Sequence, residues 1–396
     1  MPAQISHILA GEAALFEADP AFAKSLGLSP RAPSTASASR LDGTMARESP
    51  FHEAAAWFRL GCQGPDIFYH NQRTKPSGIQ YGVLAHRRDY GNFIEAAYAA
   101  FLSLRAGSEE EKGPWMGRLA EDAAFAYLLG LSTHAAIDRA THPFIVYFSG
   151  WVKPEAPASE RYRACHPFFE RILDVLLLRR AAGLATSAFD LETLLPLDGR
   201  CDPRNGEPRT EDEVTAMLQK ALISAYPRAT SGDFLLGRRI QNAVADARYF
   251  FRATNPARTD GPRADAFAYL DDHAGARSIA IVYPPSLPDG IDFANLGHAA
   301  WEHPAGDGRV SHRDYFELVD EGRADASKVL GLILDLGSRG ATSEGTLAKA
   351  IGQGGLSITD ASGRPARPLL SRPLPLPEFM EGEYRRRLEE ARSLLH

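Results

Sequence analysis

Thiols are the scarcest chemistry in this 396-residue chain. Its three cysteines, Cys62, Cys165 and Cys201, are too few for a disulfide framework and leave at least one thiol free. They fall at no C-x2-C spacing, which excludes a structural zinc finger. A surplus of positive charge is missing too. There are 44 Lys and Arg against 50 Asp and Glu, a net charge of -6, so the basic footprint of a nucleic-acid binder is absent from the chain as a whole. No run of about 18 uncharged apolar residues occurs, so no membrane span is expected. The opening MPAQISHILAGEAALFEADP has no basic segment ahead of an apolar stretch and a small-residue cleavage site. No signal peptide is expected from it, and the chain reads as cytoplasmic. What remains is ordinary globular composition, 44% hydrophobic and 24% charged, enough for one large core or two modest ones.

Hydrophobic spacing predicts helices almost throughout. Residues 5–25 place Ile5, Leu9, Ala13 and Phe16 on one face, and 51–62, Tyr90–Leu104 and 233–252 follow suit. The segment from about Trp115 to His142 is apolar on both faces, which marks a central buried helix. Pro143 is expected to end it, because proline disfavours helical geometry in the residue before it. A helix over Arg163–Ala182 tolerates Pro167 only in its first turn. Thr210 with Glu213 suggests a capping box for a helix through Tyr226, and Ser311 suggests the cap of a helix over 312–336. ARSIAIVYPP, near 276–285, is the best strand candidate. The stretch from Pro30 to Gly43, rich in Ser, Ala and Pro, reads as part of a flexible insertion near 30–48. PLLSRPLPLP, residues 368–377, reads as a polyproline-like tether before a last charged helix. The expected fold class is all-α.

Histidine placement is more informative than the histidine count. His134-x3-Asp138-x3-His142 puts three side chains on one face over two turns, since steps of four residues advance only about 40° around a helix. The flanks are apolar, with Leu128, Leu129 and Leu131 before and Pro143, Phe144 and Ile145 after. Burying two imidazoles and a carboxylate there without partners would cost several kcal/mol. His166-x3-Glu170 repeats the arrangement on the next helix. One such pair is common by chance; two on adjacent apolar helices point to metal ligation. Nitrogen and oxygen donors without thiolate suit zinc at a catalytic site.

A His near the N-terminus (His7), Gly64-Pro65-Asp66, His86, H134-A-A-I-D138-R-A-T-H142-P and H166-P-F-F-E170 together resemble the zinc-dependent phospholipase C family, related to the secreted single-strand zinc nucleases. Order and approximate spacing match over roughly residues 1–335, and Trp301-Glu302-His303-Pro304 is similar to the closing part of family members. The 185–290 region and the C-terminal tail have no counterpart. The resemblance implies a catalytic domain over 1–345 and a C-terminal extension over 346–396. It implies two or three zinc ions: one held by Asp66, His86, His134 and Asp138, a second by His142, His166 and Glu170, and a third by His7 and Asp138. Asp66 would also orient or deprotonate the attacking water. In secreted relatives the mature chain's terminal amine completes the third site. Here residue 1 or Pro2 is expected to supply amine and backbone carbonyl, the competing outcome being a two-zinc enzyme.

Read singly, His7 is a surface histidine, Asp66 a turn residue after Gly-Pro, and His86 part of a solvated charge run. The family order moves all three to ligands. His70, His298, His303 and His312 lack ligand-like partners at helical spacing and read as structural or exposed. Phe68, Tyr69, Tyr90 and Phe93 could line an acyl or base pocket, but core packing is the default. Cys62 and Cys165 read as buried inert thiols. The function expected is hydrolysis of a phosphodiester, a phospholipid being the named candidate, with transient contact at a membrane surface and no nucleic-acid partner. The alternatives are a zinc nuclease, a phosphatase of a soluble metabolite, and a non-catalytic metal-bearing scaffold.

Overall fold

The computed structural model describes residues 4–29, 50–106, 115–183, 186, 189–196, 210–256 and 279–394. The 30–48 insertion therefore lies outside the described residues, as do Met1 and Pro2. The helices are α1 Gln4–Ala18, α2 Pro20–Ser25, α3 Pro50–Cys62, α4 Ile79–Arg87, α5 Tyr90–Ala106, α6 Ala123–Ser149, α7 Cys165–Ala182, α8 Leu191–Leu194, α9 Thr210–Ala225, α10 Pro227–Thr230 and α11 Leu236–Ala253. After a β1 Trp301–Glu302 and β2 Val310–Ser311 hairpin come α12 Tyr315–Arg339, α13 Thr346–Ile351 and α14 Leu376–Leu394. The fold is mostly helical, and the antiparallel hairpin is the only sheet among the described residues.

α6 is the axis of the molecule. Asp122 caps it by accepting from the backbone N–H groups of Ala124 and Phe125, and nearly every residue through Ser132 is buried. α3 and α12 cross it, with α1 and α7 alongside. The α3 crossing is close because Gly61 and Gly130 face each other's helix: a Cβ on Gly130 would lie 2.0 Å from Phe58 O, and one on Gly61 2.2 Å from Tyr127 O. Any side chain at either position would push the two helices apart.

The expected end of α6 at His142 is wrong. The helix runs through Pro143 to Ser149 and stops at Gly150, whose φ of 67° suits glycine. An internal proline costs about 3 kcal/mol. The continuation buries Phe144, Ile145 and Phe148 in a second apolar cluster with Phe168, Phe169 and Trp301. At roughly 1.5–3 kcal/mol for each large side chain, that burial outweighs the break. His142 is consequently held mid-helix. Other local expectations shift for similar reasons. Trp115–Glu121 is a 3-10 segment, and residues 5–25 split at Asp19, which caps α2. α12 is capped by Asp314 in a capping box with Glu317 rather than by Ser311. Glu213 carries its carboxylate to Arg105. Of the strand candidate, residues 279–281 form a 3-10 turn, and 276–278 lie outside the described residues.

From residue 346 the chain packs against the helical body. Leu347, Ile351 and Leu356 join the larger core, and Leu376 and Met380 the smaller. The proline-rich stretch is extended, as its composition predicts, but docked: Leu369 N–H donates to Pro304 O, Arg372 N–H to Tyr147 O and Leu374 N–H to Phe148 O. Of the 185–290 region, α9 packs on α5, and α11 on α9 and the Gly64–Phe68 turn.

Candidate metal centre

Five elements bring the ligand candidates together. α1 carries His7, the 3-10 turn Gly64–Phe68 carries Asp66, α4 carries His86, α6 carries His134, Asp138 and His142, and α7 carries His166 and Glu170. Gly64 is what allows the turn to sit on α6. Its φ is +58°, and a Cβ there would lie 2.2 Å from Cγ of His134. Pro167 sits in the first turn of α7, so His166 projects from the helix start and Glu170 one turn on.

The eight side chains form linked groups. His7, Asp66 and His134 share one locus, His86, His134 and Asp138 a second, and His142, His166 and Glu170 a third; each could hold a metal ion. The third group is the set expected for the second zinc. The other two share His134 and divide the set expected for the first zinc between them; Asp138 belongs to the second alone, and the group with His7 pairs that ring with Asp66 and His134. Asp138 Oδ1 lies 3.2 Å from His7 Nε2, and its Oδ2 lies 3.2 Å from His134 Nε2, 3.7 Å from His86 Nε2 and 3.8 Å from His142 Nδ1. Asp66 reaches His86 at 3.0 Å and His134 at 3.5 Å. Glu170 reaches His166 at 3.1 Å and His142 at 3.5 Å.

Tautomers decide what these contacts mean. His86 Nδ1 lies 2.8 Å from Gly82 O and His134 Nδ1 lies 3.3 Å from Cys62 O. A carbonyl only accepts, so in each ring Nδ1 carries the proton and the neutral ring turns a lone pair on Nε2 toward carboxylate oxygens. Lone pair facing lone pair is repulsive unless the ring is protonated or a cation lies between. A backbone carbonyl on the far nitrogen is also the usual support of a metal-bound imidazole. Among the described residues, Asp66 Oδ2, His134 Nε2, Asp138 Oδ2 and His142 Nδ1 are buried with no hydrogen-bond partner, as is Glu170 Oε2 in the neighbouring group. Two donors about 2.1 Å from one tetrahedral zinc would be about 3.4 Å apart, inside the range of these separations. The donor set fits a dication.

Without a metal the groups polarise one another. Burial works to raise the Asp138 carboxyl, but His134 and His142 outweigh it and hold it well below the carboxylate range. Asp66 is held low against its burial by His86 and His134, and Glu170 by the positive groups around it, His166 among them. Burial works to lower His7, His86 and His142, yet all three are raised: His7 by Asp138, His86 by Asp66 and then Asp138, His142 by Asp138 and Glu170. His166 is lowered, its burial prevailing over Glu170.

A cleft of about 650 Å³ opens onto His86 and His166, which like His142 are only partly buried. Tyr69, Arg87, Trp151 and Tyr162 line it together with Ile358 and Pro365. Part of its wall therefore comes from the C-terminal segment. It is pinned by Leu356 N–H donating to His86 O at 2.8 Å and by Arg139, whose guanidinium donates to the carbonyls of Gly354 and Gly355.

Asp174 escaped the sequence reading. It accepts from Ile5 N–H at 3.1 Å, and from Ser6 N–H and Ser6 Oγ at 2.7 Å each, so it caps the start of α1 and sets the position of His7. Its spacing of four from Glu170 was the available signal. Tyr69 lines the cleft, whereas Phe68, Tyr90 and Phe93 are core. Cys62 and Cys165 are buried, their thiols pushed up by burial. His70 is buried between Phe250 and Phe251 and pushed down to about 3 by burial, a neutral core ring. No protein-family model matches the chain, and no curated protein or solved structure is significantly similar to it.

Proposed function

We propose that the chain is a zinc-dependent phosphodiesterase whose metal ligands are His7, Asp66, His86, His134, Asp138, His142, His166 and Glu170. The observation that carries the reading is the convergence of buried, unpartnered Asp66 Oδ2, His134 Nε2, Asp138 Oδ2 and His142 Nδ1. Three carboxylates and five imidazoles around them have donor chemistry that suits zinc and offer no thiolate. Bound there, two or three zinc ions would offset the charge of a phosphodiester and lower the pKa of a water that attacks it.

The chain's own groups divide the remaining work. Arg87 brings positive charge to the cleft and favours a phosphate at its mouth, whereas Arg163 is paired with Glu160. Asp66, kept ionised by His86 and His134, could orient a water or take its proton as well as hold metal. Val146, Trp151, Ile358 and Pro365 offer apolar cover to a substituent on the phosphate, which favours a phospholipid over a small polar ester.

The test is a substrate panel on the full chain with zinc, and again after chelation. It contains bis-nitrophenyl phosphate, phosphatidylcholine, single-stranded DNA and phosphomonoesters. Diester hydrolysis lost on chelation and restored by zinc is expected. Preference for DNA or for monoesters would replace the lipid reading with a nuclease or a phosphatase. Zinc binding with no hydrolysis of any member would make the chain a metal-bearing scaffold.

A further inference from the structure

The most exposed large apolar side chain among the described residues is Phe234, 97% exposed at the turn that leads from α10 into α11. Leu235 beside it is 52% exposed. Phe234 and Leu235, adjacent on this turn, form an exposed apolar tip.

The tip is held out by directed bonds. Asp233 accepts from Leu235 N–H at 3.1 Å and from Arg239 Nε at 2.9 Å, and Tyr81 Oη donates to it as well. Arg239 Nη1 then donates to Ser77 O at 2.6 Å. Phe234 is therefore fixed on a turn braced against the start of α4. His86 lies on that same helix, about 10 Å further along its axis.

From Ala225 to Ile240, which spans the connection between α9 and α11 and the first turn of α11, the sequence has three cations, Arg228, Arg238 and Arg239, and one acid, Asp233. Asp233 is neutralised by Arg239. Arg228 and Arg238 are exposed and make no ion pair among the described residues. A convex tip bearing Phe and Leu with arginines beside it matches the boundary of an anionic bilayer, where rings enter the acyl edge and cations stay among the headgroups.

We propose that the Phe234–Leu235 tip is a docking site for an anionic phospholipid surface, with Arg228 and Arg238 as its electrostatic contacts. This gives the phospholipid form of the proposed function a place of contact. It is read by binding rather than turnover, so its failure leaves the metal-centre reading standing.

The test is co-sedimentation of the full chain with vesicles of phosphatidylglycerol and phosphatidylcholine in equal parts, and with phosphatidylcholine alone. Wild type is expected to bind the anionic vesicles, less so as salt rises. Phe234→Ser with Leu235→Ser should lose tenfold or more in partitioning at unchanged melting temperature. Arg228→Glu with Arg238→Glu should lose binding and its salt dependence together. Leu369→Ser, at a residue 62% exposed elsewhere, is the control and should bind like wild type. Failure of wild type to bind anionic vesicles, or equal binding by the Phe234 variant, would overturn the proposal. So would a wild-type dimer that the Phe234 variant converts to monomer, since the tip would then be a contact between copies.

Discussion

Histidines gather in two places on this molecule, around the middle of α6 and around the β1–β2 hairpin. His298, His303 and His312 line a cleft of about 810 Å³ at the hairpin, larger than the one over His86 and His166. Their nitrogens have ordinary partners. His298 Nδ1 lies 3.0 Å from His312 O, and His312 Nδ1 lies 3.1 Å from His298 O. His303 Nδ1 accepts from Arg309 Nη2 at 3.1 Å and from Ala305 N–H. His298, Asp314 and Glu317 are near enough to hold an ion, but both carboxylates accept backbone N–H groups at the start of α12, and His298 and Glu317 are exposed. Around α6 the facing nitrogens and oxygens are buried and have only each other. What sets the α6 group apart is neither histidine number nor cavity size but buried nitrogens facing buried carboxylate oxygens; the buried ring of His70 is unpartnered too, yet it lies between Phe250 and Phe251.

The largest effect expected from breaking this contrast is at Asp138, whose two oxygens face four imidazoles. Asp138→Ala should lower zinc content and cut diester hydrolysis on the order of 100-fold or more, checked by elemental analysis and initial rates. Asp66→Asn comes next, since it keeps shape and an oxygen donor while removing charge and basicity. It should lose most turnover yet retain the fold and at least one zinc. A wild-type rate would return Asp66 to a turn residue.

A pH effect sharpens the comparison further. In the metal-free protein His7, His86 and His142 are raised, so their contribution to stability is complete below the unfolded value of about 6.5 and is lost as pH rises through the folded pKa. His166, held low, works the other way, one ring against three. Asp66, Asp138 and Glu170 are lowered, so theirs is present above about 4 and lost as pH falls through the folded pKa. The metal-free melting temperature should therefore decline as pH rises above about 6.5. Saturating zinc binds unprotonated rings and should remove or reverse that slope. Calorimetry of both forms measures it. A flat metal-free profile would mean the rings do not meet the carboxylates. The smallest effect is at the hairpin, where His298→Ala with His312→Ala should leave zinc content unchanged and shift stability by about 0.5 kcal/mol or less.

Most of the candidate centre is legible in sequence because its core is local. His134, Asp138 and His142 repeat every four residues on one helix, and His166 with Glu170 on the next, so helical geometry alone sets them on one face. What was not legible depends on long-range packing. Pro143 looks like a terminator until Phe144, Ile145 and Phe148 are seen to enter a core built from α7 and the hairpin. Asp174 looks like a surface acid, though it caps a helix 168 residues away. The proline-rich tail is extended in composition and in fact, but nothing in its sequence says that the segment before it walls the cleft over His86. His7 and His86 stand alone in sequence and join the others only through the folding of α1 and α4 onto α6.

The central claim is that the facing atoms around α6 enclose metal and those at the hairpin do not. The direct measurement is elemental analysis of the full chain after reconstitution with zinc and removal of the excess. Two or three zinc ions per chain are predicted, the number unchanged in the His298→Ala, His312→Ala variant and reduced in Asp138→Ala. Less than one equivalent of zinc in the folded wild-type protein would contradict the account.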